Sequence, residues 1–236
     1  EVIQLAMDYE NIHFLKGDLI SSPSSNFYKL VLEMEDYSFD YYALCDQDDI
    51  WSNYKLNRAI ASFSNNLIQG YSSGFTTFNS SGRKKIYKLG KKTEFDHLFQ
   101  SAGPGCTFVL NIEALIFLQN FLKDNHSLLE VLAHDWLIYF VFRVNKMEWV
   151  LDEESHLFYR QHNANVAGVN SGLAAKVKRF RLLFSGWYFT DLKILFSFAK
   201  NLGFSPSITD IFNLRRSKME SLFIWLYLWL FFKFNH

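Results

Sequence analysis

The run Tyr41-Tyr42-Ala43-Leu44-Cys45-Asp46-Gln47-Asp48-Asp49-Ile50-Trp51 carries an apolar, strand-like segment directly into three carboxylates within four residues. Carboxylates so crowded repel one another unless a cation sits among them. A buried strand that ends in Asp46-Gln47-Asp48-Asp49 therefore points to a hard divalent metal, with a phosphate as its natural companion. The carboxyl end of a strand is also where open α/β sheets place their ligand crevice. A single Asp at a strand-to-helix junction would need no more than a capping role. Three need more.

Around this loop, helix-like and strand-like segments alternate from Glu1 to about Leu151, which favours an α/β layered domain. Residues after Glu1 read as helix, with Val2, Leu5 and Ala6 on one face. Ile12 to Lys16 reads as a strand and Asn26 to Leu32 as a helix. Tyr41 to Cys45 is the next strand, and Tyr54 to Phe63 a helix with Leu56, Ile60 and Phe63 on one side. Gly70 to Phe78 is extended and enters the turn Asn79-Ser80-Ser81-Gly82. Cys106 to Leu110 is a short buried strand, Ile112 to Leu122 and Asp135 to Val144 are helices, and Glu148 to Leu151 and His156 to Gln161 are extended. The reading divides the chain into an α/β domain over 1–170 and a helical, basic and aromatic region over 171–236.

Lys and Arg balance Asp and Glu at 24 each, so no global field draws the protein to nucleic acid. Cys45 and Cys106 are the only cysteines, which excludes a disulfide framework and a zinc site of several thiolates. That suits a reducing, cytoplasmic setting, and the first residues do not follow the pattern of a signal peptide. Residues Leu222 to Phe232 are apolar without a break, but a membrane span needs roughly 20 such residues. This segment reads either as a buried helix or as one lying in a bilayer interface. Lys176, Lys178, Arg179 and Arg181, alternating with Val177, Phe180, Leu182 and Leu183, would suit an anionic membrane surface.

Three further clusters could carry chemistry. Ala102-Gly103-Pro104-Gly105-Cys106-Thr107 lets the backbone approach a ligand closely, or is an ordinary tight turn. His134-Asp135-Trp136 opens a helix; Asp135 is either its cap or a general base, with Trp136 as a sugar-stacking platform. Tyr159-Arg160-Gln161-His162 offers a phosphate clamp and a metal-competent imidazole, or is a polar strand exit. The acidic loop also admits a phosphatase of the aspartyl-phosphate type, although Ile50 stands where Thr or Val is usual. An EF-hand is excluded, because its Gly and terminal Glu are missing.

The order of these four motifs resembles the family 2 glycosyltransferases of the GT-A fold, nearest the rhamnosyltransferase-like members that build bacterial surface polysaccharides. Their acidic loop reads Asp-Gln-Asp-Asp-Ile-Trp followed by Lys; here Asp46 to Trp51 is followed by Lys55 and Leu56. The resemblance covers about Glu1 to Gly168. It implies a mixed, Rossmann-like sheet flanked by helices, and an inverting transfer from a nucleotide-diphosphate sugar to a polysaccharide or lipid-linked acceptor. Rhamnose is the first guess for the sugar.

The resemblance also assigns roles. Asp46 and Asp48 are expected to hold Mn or Mg, with His162 as a further metal contact. Asp46, Gln47, Asp48, Lys55 and Arg160 are expected on the donor, and Gly103, Gly105, Cys106, His134 and Trp136 on the acceptor. Asp135 is the expected catalytic base. The expected location is the inner face of the bacterial cytoplasmic membrane, held peripherally through the C-terminal region. The family's opening Ser/Thr-Tyr-Asn strand and its Asp-Asp-Gly-Ser strand do not occur here. The donor site is therefore expected to be incomplete, and a noncatalytic remnant that binds glycan or membrane is the alternative to an enzyme.

Overall fold

The computed structural model describes residues 2–16, 22–35, 38–63, 69–82, 84–161, 186–204 and 212–232. In chain order these form α1 (Val2–Asp8), α2 (Pro23–Glu33), β1 (Tyr41–Ala43), β2 (Ile50–Trp51), α3 (Lys55–Ser62), β3 (Gln69–Phe78), β4 (Lys84–Tyr87) and α4 (Asp96–Phe99). They continue with β5 (Val109–Asn111), α5 (Ile112–Asp124), α6 (His134–Val144), β6 (Glu148–Arg160), α7 (Gly186–Asn201) and α8 (Lys218–Phe232). The result is the α/β architecture the sequence implies: a curled, mixed, six-stranded sheet flanked by helices and followed by a helical C-terminal region.

The sheet runs β1-β5-β3-β6-β2. β3 is its spine, buried from Gln69 to Thr77, as expected of a strand covered on both faces. Along one edge it pairs in parallel with β6, and along the other it meets β5 at Gly70 and Tyr71 and β4 from Phe75 to Phe78. The two extended pieces read at 148–151 and 156–161 are one strand, whose register against β3 shifts around Gly74. A Cβ on Gly74 would lie 2.8 Å from the carbonyl oxygens of both Glu153 and Tyr87. Only glycine lets strands close in from both sides there.

One face of the sheet packs on α2, α5 and α6, with Phe108, Leu118, Leu137, Phe140 and Trp149 at the centre. Tyr188, Leu192, Leu195 and Ala199 of α7 and Ile224 of α8 join that same core. The other face holds a small cluster of Tyr71 and Val109 with Ala59 of α3. The N-terminal ends of α2 and α5 are conventional: Ser22 and Asn111 accept N–H bonds from Ser25 and Ala114.

Three expectations change. Ile12 to Lys16 is irregular, and Phe14 and Leu15 are exposed; it has no strand among the described residues to pair with. In α3 the expected apolar face points outward, with Leu56 at 41% and Ile60 at 38% exposure, while Lys55 and Ala59 are fully buried. The helix phase follows the seat of Lys55 over the Trp51 ring, 3.6 Å from its centroid, rather than its leucine and isoleucine. Cys106 does not begin a strand: Gly105–Thr107 is a 3₁₀ turn closed by Phe108 N–H on the Gly105 carbonyl, and β5 starts at Val109. Pro104, fixed in an extended conformation before the turn, sets that entry. The basic residues Lys176, Lys178, Arg179 and Arg181 lie outside the described residues.

Candidate active site

The acidic loop leaves the carboxyl end of β1, the 3₁₀ turn precedes β5, and α6 starts nearby. Because β1 and β5 pair antiparallel, with Ala43 opposite Val109 and Leu44 N–H on the Phe108 carbonyl, the end of one strand meets the entry of the other. Asp46, Asp49 and Cys106 thereby come together, one ligand atom of each lying within 4.8 Å of the others. Burial raises the pKa of both carboxyls and a neighbouring carboxylate adds to each shift; the Arg160 N–H opposes it at Asp49, as does the single Cys106 thiol proton, which lies in reach of either carboxylate. The thiol is pushed far up by burial and by the same two carboxylates, so it stays a proton donor. Asp49 Oδ1 accepts the Arg160 N–H at 2.9 Å; Oδ2 is buried with only the weakly donating thiol beside it.

Lys55 sits at the floor. Its ammonium has no hydrogen-bond acceptor, and burial lowers its pKa to about 8, with the Asp49 carboxylate pulling the other way. The site thus contains a caged cation on one side and two carboxylates restrained by a neutral thiol on the other. The two carboxylates, with a buried Asp49 oxygen lacking a good partner, fit a hard divalent ion such as Mn or Mg, and the protonated thiol lies beside them as a neutral neighbour and not as a ligand. The Asp48 carboxylate stands outside this set. Its backbone carbonyl accepts from Arg160 Nε at 2.8 Å, while the Arg160 guanidinium lies 4.6 Å from the Phe78 ring centroid. Gln47 is exposed beside them, and His162 lies outside the described residues.

His134 and Asp135 open α6 against the same turn. A Cβ on Gly105 would fall 2.4 Å from His134 Nε2 and 3.5 Å from Asp135 Cβ, so glycine is needed for close approach. Gly103, at φ +110, makes the preceding bend. His134 stacks on Phe27 at 4.2 Å, and its Nδ1 lies 3.3 Å from Ser24 Oγ. Ser24 gives its own proton to the Leu132 carbonyl. It can therefore only accept from Nδ1–H, which leaves Nε2 unprotonated, buried and without a hydrogen bond. Burial lowers the His134 pKa to about 4, with Asp46 pulling the other way. The imidazole is neutral at physiological pH.

Asp135 is the strongest acid–base candidate. Burial raises it to about 7 and Asp46 adds to the shift, while backbone N–H groups of Trp136, Asp135 and Gly105 hold it down. Its Oδ1 accepts the Trp136 N–H at 2.7 Å. Trp136 itself is not a sugar platform: it is 2% exposed, donates from Nε1 to the His97 carbonyl at 2.8 Å, and stacks on Tyr188 at 5.1 Å. The i+1 side chain of a helix start turns away from its neighbour, and here that direction is the core. Asp49 was not singled out among the Asp triplet by sequence, and Ser24, Phe27 and Asp191 carried no signal, since only the fold brings them to α6.

The chain is 33% identical over 217 residues to the dTDP-rhamnosyl transferase RfbG of Shigella flexneri, a match that covers 86% of this chain and 75% of that protein. No family model matches the sequence.

Proposed function

This chain belongs to a glycosyltransferase family, that of its Shigella flexneri relative, and from that premise we propose that it is an inverting transferase moving rhamnose from a thymidine-diphosphate donor to a glycan or lipid-linked acceptor. The observation that carries the reading is Asp135: a carboxyl on a rigid helix start, tuned to about 7, facing the acidic loop across Gly105. A general base works best with a pKa near the operating pH. Asp135 takes the proton of the acceptor hydroxyl as that oxygen attacks the anomeric carbon, and the bond from that carbon to the pyrophosphate oxygen breaks on the opposite side.

Asp46 and Asp49, with Cys106 beside them, would hold a divalent metal, which supplies neutralisation of the charge growing on the leaving diphosphate. Lys55 and Arg160 add positive charge on the donor side without needing to move far. His134, neutral and acceptor-only at Nε2, can orient a hydroxyl but cannot donate to a leaving group. Family membership leaves the aspartyl-phosphate phosphatase no place. Among the described residues no helix is long and apolar enough to cross a membrane. Met219, Leu222, Phe223 and Leu226 of α8 are exposed nonetheless, and we read that face as a peripheral contact with the bilayer, where lipid-linked acceptors lie.

Diphosphate release from a panel of nucleotide sugars with Mn tests the reading. Release selective for dTDP-rhamnose and abolished by chelation is expected; a flat response across the panel removes the enzyme reading in favour of a binding remnant.

A further inference from the structure

The start of α6 is held from outside the α/β layers. Asp191 of α7 is fully buried, and its two carboxylate oxygens accept the N–H groups of Leu132 at 2.9 Å and Ala133 at 3.1 Å. Those are the two residues immediately before His134 and Asp135. One helical turn away on the same helix, Tyr188 stacks on Trp136 and donates its hydroxyl to the Phe99 carbonyl at 2.9 Å. The first N–H groups of a helix need acceptors, and the usual one is a side chain at the cap position. Here Ala133 occupies that position and offers none. Inside the helix Ser24 accepts the His134 N–H and Asp135 the Trp136 N–H; the chain entering it, at Leu132 and Ala133, is held by Asp191, 59 and 58 residues further along.

We propose that Asp191 is a positioning residue for glycosyl transfer: by gripping the 132–133 peptides with both oxygens it fixes the turn that aims His134 and Asp135 at the acidic loop. The inference rests on the role given to Asp135 above. Its physical content is geometric. A carboxylate with two acceptors on adjacent N–H groups sets both the height and the rotation of the helix entry, whereas one hydrogen bond would leave a hinge. Ser24 completes the clamp from the other side, accepting the His134 N–H at 3.3 Å and donating to the Leu132 carbonyl. A C-terminal helix thus contributes to chemistry that it does not touch.

Asp191→Asn keeps the shape and one acceptor oxygen but turns an amide N–H₂ toward a backbone N–H. Asp191→Leu removes both acceptors. The test measures dTDP release from dTDP-rhamnose with Mn, splitting kcat from KM, together with hydrogen exchange of the peptide covering residues 130–136. Misplacing a catalytic group by about 1 Å can cost on the order of a hundredfold. Asp191→Asn should therefore lower kcat roughly tenfold to a hundredfold, with donor KM changed less than about twofold, and quicken exchange at 132–135. Asp191→Leu, if it folds, should be worse on both counts, and Asp191→Asn better than it. Unchanged exchange in Asp191→Asn, or faster exchange with wild-type kcat, overturns the proposal. A wild-type chain inert toward the donor would sink the functional reading, and the positioning role in catalysis with it; the exchange arm alone would then decide whether Asp191 anchors the turn.

Discussion

Helix α6 carries a carboxylate problem at each end, and the two ends solve it differently. Toward its C-terminus, Tyr139 and Arg143 face Asp96, which is fully buried. Its oxygens accept from the Tyr139 hydroxyl at 3.0 Å and Arg143 Nη1 at 2.9 Å, with Arg216 Nε 3.6 Å away. At the N-terminus, Asp135, Asp46 and Asp49 share a pocket with a neutral imidazole, a protonated thiol and a lysine that forms no hydrogen bond. Burial differs in degree, Asp96 being fully buried and Asp46, Asp49 and Asp135 only partly so, yet the greater burial does not make Asp96 the uncompensated group. Neutralisation separates the two regions. Asp96 has its cations built in and so can only hold the fold together, tying α4, α6 and the segment around Arg216. The carboxyls at the other end are left raised and under-compensated, which is a cost unless a ligand arrives.

The sharpest way to break this comparison is Asp135→Asn. Loss of a general base costs roughly a hundredfold to ten-thousandfold in turnover, with the fold intact. Because burial raises the Asp135 pKa to about 7, the folded state binds that proton more tightly than the unfolded chain. Stability from this group is present in acid and lost as pH rises through about 7, while activity rises over the same interval. The variant should therefore lose its acidic limb of turnover and melt higher than wild type at pH 8, by a margin that shrinks steadily as the pH falls toward the ordinary carboxylate range. Wild-type turnover in Asp135→Asn would remove the base assignment.

Asp96→Ala should do the reverse. It strands Arg143 and Arg216 in the interior, and breaking a buried pair costs about 3–5 kcal/mol, readable in urea denaturation. A loss under about 1 kcal/mol would show that the network is held by packing and not by charge. The smallest effect is expected for Asp49→Asn. The amide oxygen can keep the Arg160 N–H bond, while a crowded, raised carboxylate disappears. Stability at pH 8 should rise or hold within about 1 kcal/mol, and the Mn concentration needed for dTDP release should increase, because a carboxylate ligand is lost. Clear destabilisation by Asp49→Asn would mean that the acidic loop is structural, like Asp96.

Much of this was legible in the residues. The Asp-Gln-Asp-Asp loop, the glycine turn and His134-Asp135 are local in sequence, and each announced itself by crowding charge or backbone freedom at one point. The phase of α3 was not legible, because Leu56 and Ile60 look like a core face until Lys55 finds Trp51. Nor was the fate of Trp136, which reads as an exposed aromatic beside a candidate base and is instead spent on His97 and Tyr188. Choosing Asp49 over Asp48 for the carboxylate cluster depended on which way the loop between β1 and β2 folds over Cys106.

By itself the sequence determined the alternation of strands and helices, the place of the acidic loop at a strand end and the kind of chemistry a base and a metal-type loop could share. Those follow from short-range rules, periodicity and the repulsion of adjacent charges. Only the tertiary structure decided which carboxylates are neutralised, which imidazole nitrogen is left open and what anchors α6. Each of these depends on groups far apart in the chain, brought together by the sheet and by α7, and burial then sets their charge.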